Sequence, residues 1–425
     1  MNEAVQETVQ SCPQCGDTIR SDARFTTWCT GCDWNVDPAA PADEQGRVER
    51  VRRALARCHG ERLVAELTTG GGGQAPPRRG AAGAIALTLA LVVHAVTVLL
   101  TLEGLWLLAT GWGHPGRLLG AVALLALAWT LRPRFGSLPD DWPVLRRAAA
   151  PVLFAWVDEV AAVAGTRGVD AVVLDTDLNA SVTTYGVRGR RVLTIGLPLW
   201  EMLGPQERVA LLGHELGHFS NGDTRHGMVL GQAFRSLGTW HYYVARTPHP
   251  TPLEAVVNLL TLVPRLLVAG TILLLDRLTL RATQRAEYLA DSTAARAGST
   301  DAAIRLMDSL LVVPSAEGML RREANTRQVK GRGSDPEGLW GRLAAHVGSV
   351  PGREYERLRR AAVRRGHSVD STHPPTHLRR DVLRAGAPRD AAVPVDAERD
   401  RAVADELAAA RAELARRLLR DGLGE

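Results

Sequence analysis

The stretch Gly213-His214-Glu215-Leu216-Gly217-His218 decides how the rest of this chain is interpreted. Two histidines four positions apart lie on one face of an α-helix, about one turn from each other. In that geometry their imidazole nitrogens can bind one Zn²⁺, and the glutamate after the first histidine can reach a water at the metal. The pattern therefore predicts a catalytic zinc site on a helix. Two solvated histidines on an ordinary surface helix are the alternative.

A second cluster, Arg285-Ala286-Glu287-Tyr288-Leu289-Ala290-Asp291, supplies a ligand that the histidine pair lacks. Catalytic zinc normally takes three protein ligands and leaves one position open. Glu287 is the candidate third ligand, and Asp291 lies one helical turn later on the same face. From there Asp291 can accept a hydrogen bond from the outer N–H of a liganding histidine. A solvated acidic face is the alternative for both carboxylates.

These clusters and a later segment, Ser371-Thr372-His373-Pro374-Pro375-Thr376-His377-Leu378-Arg379, together resemble the M48 family of membrane-associated zinc metalloproteases. The resemblance spans roughly residues 150–385, and three motifs in the same order carry it. It implies a mainly helical α+β fold with a gluzincin-type metalloprotease core. The overall plan is most similar to the HtpX-like branch, which implies a role in the quality control of membrane proteins.

The resemblance also implies roles for individual residues of this chain. It gives the zinc ligands as His214, His218 and Glu287, with Glu215 as general base and Asp291 and Asp223 as neighbouring aspartates. It gives Asn179 and Ala180 as part of a substrate-binding edge strand, although the serine at 181 departs from the commonest family pattern. Finally, it implies His373 and Arg379 as groups that hold the oxyanion of a tetrahedral intermediate, with support of a loop as the alternative.

Four cysteines near the N-terminus form two CxxC pairs, Cys12/Cys15 and Cys29/Cys32. Four thiolates at this spacing are typical of a structural zinc ribbon. A disulfide is the alternative, but the polar, acidic N-terminus contains no export signal, and a reducing cytosol favours metal over disulfides. Because acidic residues surround the cysteines, we expect a structural or protein-binding module and no binding of nucleic acid.

Length and composition predict several domains. The chain has 425 residues, is 45% hydrophobic and carries a net charge of +5, which on a membrane protein favours contact with anionic lipid. The predicted parts are a zinc ribbon at 1–40, a charged helix and Gly/Pro-rich linker at 41–80, a transmembrane hairpin at 81–132, a metalloprotease domain at 143–390 with a membrane-associated segment at about 227–278, and a C-terminal helix at 391–425, in which residues 396–420 are predicted to be a solvated amphipathic helix.

The hairpin prediction rests on the uncharged run Ala81–Leu102, which a further apolar run, Gly104–Trp112, follows after Glu103, and on the apolar run Leu118–Leu131, with a turn at Gly113–Gly116. The first run is long enough to cross a bilayer as a helix. Arginines flank the outer ends of both runs, at 78–79 and from 132 onward. The positive-inside rule therefore predicts that these ends, and the soluble domain, lie in the bacterial cytoplasm.

A further apolar stretch, Val256–Leu275, lies between the two metal-binding motifs. Because both motifs must reach one metal, an even number of membrane crossings separates them. The stretch therefore either pairs with the weaker segment Gly227–Ala245 or enters the membrane without crossing it. Arg265 would cost about 2.5–3.5 kcal/mol at the centre of a bilayer, which favours helices that dip into the membrane. A buried helix of a soluble protein is the third possibility.

Residues 151–165 are predicted to form a helix, and strands are predicted at Ala171–Asp175, Val182–Val187 and Arg191–Ile195. A small sheet beside the zinc helix would let an edge strand bind extended peptides. The sequence therefore predicts a membrane-anchored, zinc-dependent endopeptidase that acts on proteins or peptides. The alternatives are a membrane-tethered adaptor with an inert protease core, against which the intact Glu215 argues, and a nucleic-acid-binding ribbon.

Overall fold

Helices dominate the computed structural model, which describes residues 7–38, 60–67, 81–134, 136–186, 188–220, 224–330, 335–366 and 374–423, without the side chains of 224–228 and 330. Residues 60–67 are helical. The helices that follow this segment are α1 (Ala81–Thr110), α2 (Pro115–Leu131), α3 (Pro151–Ala164), α4 (Leu197–Met202), α5 (Pro205–Ser220), α6 (Thr224–Tyr243), α7 (Pro252–Leu260), α8 (Leu262–Gly298), α9 (Thr300–Leu311), α10 (Val313–Lys330), α11 (Leu339–Gly348), α12 (Gly352–Arg365), α13 (Thr376–Ala385), α14 (Ala397–Glu406) and α15 (Ala408–Asp421).

Two small sheets accompany the helices. The strands are β1 (Glu7–Ser11), β2 (Thr18–Asp22), β3 (Val144–Leu145), β4 (Ala171–Asp175), β5 (Ala180–Tyr185) and β6 (Arg190–Gly196). Strands β1 and β2 form an antiparallel hairpin, and the other four are ordered β3-β4-β6-β5. Only the β4–β6 pair is parallel, and β5 lies at an edge of its sheet.

The predicted elements of the soluble domain are largely confirmed. Strand β4 has the predicted bounds, whereas β5 begins two residues earlier than predicted and ends at Tyr185. Gly186 and Gly189 both have positive φ there, because the turn into β6 requires a backbone conformation that glycine adopts without strain. Helix α3 ends at Gly165 in the left-handed conformation, one residue inside the predicted range.

The main hydrophobic core lies between the four-stranded sheet and helices α3, α5, α8 and α9. It continues into the C-terminal helices, where Leu414 and Leu418 are fully buried. The segment predicted as one solvated amphipathic helix at 396–420 is amphipathic, and its apolar face is buried in the core. The segment forms two helices, and their alanines and leucines pack into the same core as the sheet, so that only the opposite, charged face meets water.

A second apolar cluster joins α1, α6 and α8 away from this core. Ala90 of α1, Leu237 of α6 and Leu275 of α8 are buried in it, and the His94 Nε2 lies 3.1 Å from the carbonyl oxygen of Val229. The outward faces of α1, α2, α7 and the first part of α8 expose many large apolar side chains. Among the described residues, one helix, α1, is long and apolar enough to cross a membrane by itself.

Helices α7 and α8 pass the same test only when taken together, and they are bent by 49° at their junction. A capping box begins α7, since Thr251 and Glu254 each bind the other's backbone N–H. The predicted apolar stretch between the two metal-binding motifs is therefore a broken segment, and the second part of it continues without interruption into the helix that carries Glu287.

Candidate active site

Helix α5 places His214 and Glu215 in the interior of the protein. Both side chains are buried, whereas the side chain of His218, one turn later, is 26% exposed. The helix begins at Pro205, with Glu207 in its first turn. The site is therefore open to solvent on the side of His218 and closed behind His214.

Three side chains from two helices converge on one point. The Nε2 atoms of His214 and His218 are 3.3 Å apart, and the Glu287 carboxylate oxygens lie 3.6 Å and 3.7 Å from them. Zn–N bonds of about 2.0–2.1 Å at a tetrahedral angle would separate two nitrogens by about 3.3–3.4 Å. The three groups therefore fit a tetrahedral zinc ion and could hold one, as the sequence predicts.

The outer nitrogen of His214 contacts a buried ion pair. Its Nδ1 lies 3.0 Å from Asp291 Oδ1, and Arg379 contacts both oxygens of Asp291, at 2.6 Å and 2.8 Å. A proton on Nδ1 can be donated to the carboxylate, which leaves the Nε2 lone pair facing the metal position. The Arg379 Nη2 is also 3.3 Å from Nδ1. Both atoms are donors in this arrangement, so both donate to Asp291.

This geometry corrects the expectation that Arg379 holds an oxyanion. The residue is 3% exposed and lies behind His214, on the side of the imidazole ring away from the metal position. Its Nε and Nη2 donate to Asp291. The guanidinium is thus used to stabilise a buried carboxylate. The family resemblance could not reveal this, because the pairing is formed by residues 88 positions apart on two different helices.

Glu215 follows His214 in α5 and lies close enough to Glu287 for the two carboxylates to interact, without being one of the three converging groups. Burial raises the pKa of Glu215 to about 8, and the nearby Glu287 carboxylate acts in the same direction, whereas Arg379 opposes both. A cation in the site would lower this pKa again by direct attraction. The environment of Glu215 is therefore suited to a group that both accepts and donates a proton.

Two glycines of the motif bring α5 and α8 close together. A Cβ atom on Gly217 would lie 2.9 Å from the Cα of Ala290, and one on Gly213 would lie 3.0 Å from the Cα of Ala294. Only small residues permit this approach, which brings the histidines of α5 within reach of Glu287. Sequence reasoning missed this interface, although small residues four apart on both helices are a readable signal.

We expect Gly217→Ala to weaken metal binding and to destabilise the protein by about 1–3 kcal/mol, because the added methyl group forces the two ligand-bearing helices apart. Thermal unfolding and competition with a metal chelator measure the two effects. Gly341→Ala in α11, where an added Cβ meets no atom within 4 Å, is the control. It should be neutral or stabilising, by up to about 1 kcal/mol, since alanine favours helices. Equal behaviour of the two variants would contradict the packing argument.

The remaining predicted site residues divide into two groups. Asp223 and His373 lie outside the described residues. Asn179 and Ala180 lie at the start of the edge strand β5, which packs beside α5. Asn179 Oδ1 accepts a hydrogen bond from the N–H of Ala180, and its carbonyl oxygen accepts one from Gly196.

The four N-terminal cysteines form a second cluster that could hold a metal. The sulfur atoms of Cys12 and Cys32 are 3.6 Å apart, and those of Cys15 and Cys29 are 3.5 Å apart. Zn–S bonds of about 2.3 Å at a tetrahedral angle would separate two sulfurs by about 3.8 Å, whereas a disulfide bond is about 2.05 Å long. The cluster is therefore consistent with a zinc ribbon, and all four thiols are free.

Two histidines and a glutamate that converge beside a buried second glutamate define the class of metal-dependent hydrolases. The comparison with protein families identifies the family within this class. The model of peptidase family M48 matches residues 150–387, more than half of the chain, and the chain therefore belongs to this family of metallopeptidases. No match was found among the curated proteins or among the solved structures.

Proposed function

We propose that the protein is a zinc-dependent endopeptidase. The observation that carries the proposal is the convergence of His214, His218 and Glu287 on one tetrahedral position, with Glu215 close to Glu287. The donor set of two imidazoles and a carboxylate matches that of catalytic zinc, which keeps one position open. Membership of the M48 family supports the same reaction, the hydrolysis of peptide bonds.

In the proposed mechanism a bound Zn²⁺ supplies Lewis-acid activation of the scissile carbonyl and of a water molecule. Glu215 accepts a proton from the attacking water and donates it to the leaving amine. Asp291 accepts a hydrogen bond from the Nδ1–H of His214 and so holds the proton on Nδ1, which leaves Nε2 free as a ligand. Arg379, through its pair with Asp291, acts as a positioning residue. Strand β5, which lies at an edge of its sheet, offers backbone groups to an extended substrate.

We further propose that the enzyme is anchored in the bacterial cytoplasmic membrane by several helices. The exposed apolar faces of α1, α2, α7 and α8 support this, since contiguous apolar surface of this extent is unusual on a soluble protein. Helix α8 passes from apolar Leu275 to Glu287 in 12 residues, about 18 Å along its axis. The active site would then lie just outside the bilayer.

The charge distribution supports an active site on the cytoplasmic side. Arg132 and Arg134 follow α2, and Arg277 and Arg281 follow the apolar part of α8, on the way to Glu287. By the positive-inside rule these ends face the cytoplasm. A site there, at the membrane surface, fits the HtpX-like role in which misfolded membrane proteins are the substrates. The lipid bilayer and protein substrates are thus the proposed partners, and nucleic acid is not.

We expect a zinc chelator to abolish cleavage of an unfolded substrate such as casein by the protein in detergent, and stoichiometric Zn²⁺ to restore it, because no side chain near the site can replace the Lewis acid. Inhibitors that react with serine or cysteine nucleophiles are the control and should leave cleavage unchanged. Cleavage that survives complete removal of metal, confirmed by elemental analysis, would contradict the proposal.

We expect the protein to remain in the membrane fraction after extraction with alkaline carbonate and to be released by detergent. Burial of the exposed apolar helices in lipid is the physical reason. A chain that begins at residue 136, after α2, tests the first hairpin separately. If that chain also stays with the membrane, α7 and α8 are sufficient for anchoring. Release of the full-length chain by carbonate would contradict the membrane anchor.

A further inference from the structure

The N-terminal module of residues 7–38, called here the four-cysteine module, packs against helix α12 of the peptidase domain. Two acidic side chains of the module pair with arginines of that helix. Asp33 Oδ1 lies 2.8 Å from Arg360 Nη1, and both carboxylate oxygens of Asp37 contact Arg365, at 2.5 Å and 2.7 Å. Two of the acidic residues that argue against nucleic acid in the sequence, Asp33 and Asp37, therefore face the protein's own basic helix.

The centre of this contact is buried and uses backbone groups of the module. Arg357, 8% exposed and paired with Glu354, donates to the carbonyl oxygen of Val36 at 2.8 Å. Arg353 donates to the carbonyl oxygen of Trp28 at 2.6 Å. The indole ring of Trp28 is buried, and the guanidinium groups of Arg353 and Arg360 lie over it. Backbone acceptors of this kind are in place only when the module is folded.

Folding of the four-cysteine module depends on its metal. Its apolar core contains little beyond Ile19, Trp28, Val36 and the cysteines themselves. A unit of this size buries too little surface to fold by itself, and metal binding then supplies the folding free energy. The acceptors used by α12 lie in the segment that follows Phe25 and includes Cys29 and Cys32. Loss of the metal would therefore remove the surface that α12 binds.

The opposite side of α12 leads to the active site. Asp308 of α9 pairs with Arg359 of α12 at 3.1 Å and with Arg380 of α13 at 3.3 Å. Arg380 is the neighbour of Arg379, whose guanidinium holds Asp291 against His214. Within α12, Glu356 pairs with both Arg360 and Arg359, so that ion pairs run from the four-cysteine module to Arg380 of α13. The backbone of α13 joins Arg380 to Arg379, whose pair with Asp291 reaches His214.

We propose that the four-cysteine module is a metal-dependent clamp on α12 that keeps α13, and with it Arg379, in place. When a chelator removes the metal from the module, α12 and α13 loosen and the catalytic site holds its own metal less tightly. The proposal rests on the proposed zinc-peptidase function only for its effect on activity, because the loosening of the helices and the loss of metal are measured separately.

The decisive variant is Asp33→Ala with Asp37→Ala, which breaks the clamp but retains all four cysteines. In the full-length chain in detergent, cobalt in place of zinc reports on both sites, because thiolate and imidazole ligands give different visible spectra. We expect an intact thiolate spectrum, faster amide hydrogen exchange in α12 and α13, and about 10-fold weaker metal binding at the histidine site. Replacement of Cys29 and Cys32 by alanine should give the same exchange pattern without the thiolate spectrum.

Two controls separate a clamp from a general effect of charge or misfolding. Asp140→Ala with Asp141→Ala also removes two negative charges, from exposed side chains that lie outside the four-cysteine module and outside α12, and should change neither exchange nor metal affinity. Asp37→Arg should loosen the helices, and a second change, Arg365→Asp, should restore them. The proposal would be overturned if Asp33→Ala with Asp37→Ala changed neither the amide hydrogen exchange of α12 and α13 nor the metal affinity of the histidine site. It would also be overturned if Arg365→Asp did not restore the slow exchange that Asp37→Arg had removed. Neither result depends on detecting peptidase activity.

Discussion

Replacement of Glu215 by glutamine is expected to lower the rate of peptide hydrolysis by a factor of about 10²–10⁴, with bound zinc unchanged. Glutamine has the shape of glutamate but cannot take up and release the proton that hydrolysis requires. Because Glu215 is buried and its pKa is raised to about 8, a neutral amide is also compatible with its surroundings. The stability of the fold should therefore change little.

The experiment measures zinc per chain and casein cleavage by the purified protein in detergent. Glu207→Gln on the same helix is the matched control, since Glu207 pairs with Arg305 away from the metal position. We expect two zinc ions per chain in all three proteins and cleavage only by the wild type and the control. If all three proteins bound the same amount of zinc and the wild type cleaved no substrate, the result would favour the alternative function, a membrane-tethered adaptor with an inert protease core. Equal cleavage by the Glu215 variant would mean that another site or a contaminant is responsible.

Replacement of Arg379 by methionine is expected to destabilise the protein by about 3–5 kcal/mol, because it leaves the buried Asp291 carboxylate without its cation. Methionine fills much of the space of arginine, so the lost charge dominates the effect. With Asp291 free to shift, His214 is held less firmly and metal affinity should fall by about 10–100-fold. Denaturant-induced unfolding and chelator competition measure the two quantities.

Two further variants identify the cause of this loss. Arg384→Met makes the same change on the exposed face of the same helix and should alter stability by no more than about 0.5 kcal/mol. Combining Arg379→Met with Asp291→Asn removes both charges and should recover part of the lost stability, although not the metal affinity. Additive losses in the double variant would show that the two side chains act independently, against the contacts described here.

The elements that sequence predicts well are those with local patterns. The strand Ala171–Asp175 is a short β-branched run, and α5 is recognised by a motif whose spacing is set by the helical repeat itself. The amphipathic pattern of residues 396–420 predicts that one face is apolar, but it does not show what that face packs against. Burial of that face depends on a groove that other elements form.

The sequence by itself determined the chemistry: the residue types and spacing of His214, His218 and Glu287, and the four thiols that fit a second metal. These follow from local geometry and from the donors that zinc prefers. Only the tertiary structure decided that Arg379 lies behind His214 and that the four-cysteine module packs on α12. Such contacts join residues tens to hundreds of positions apart, and a single arginine or aspartate carries no local signal of its partner.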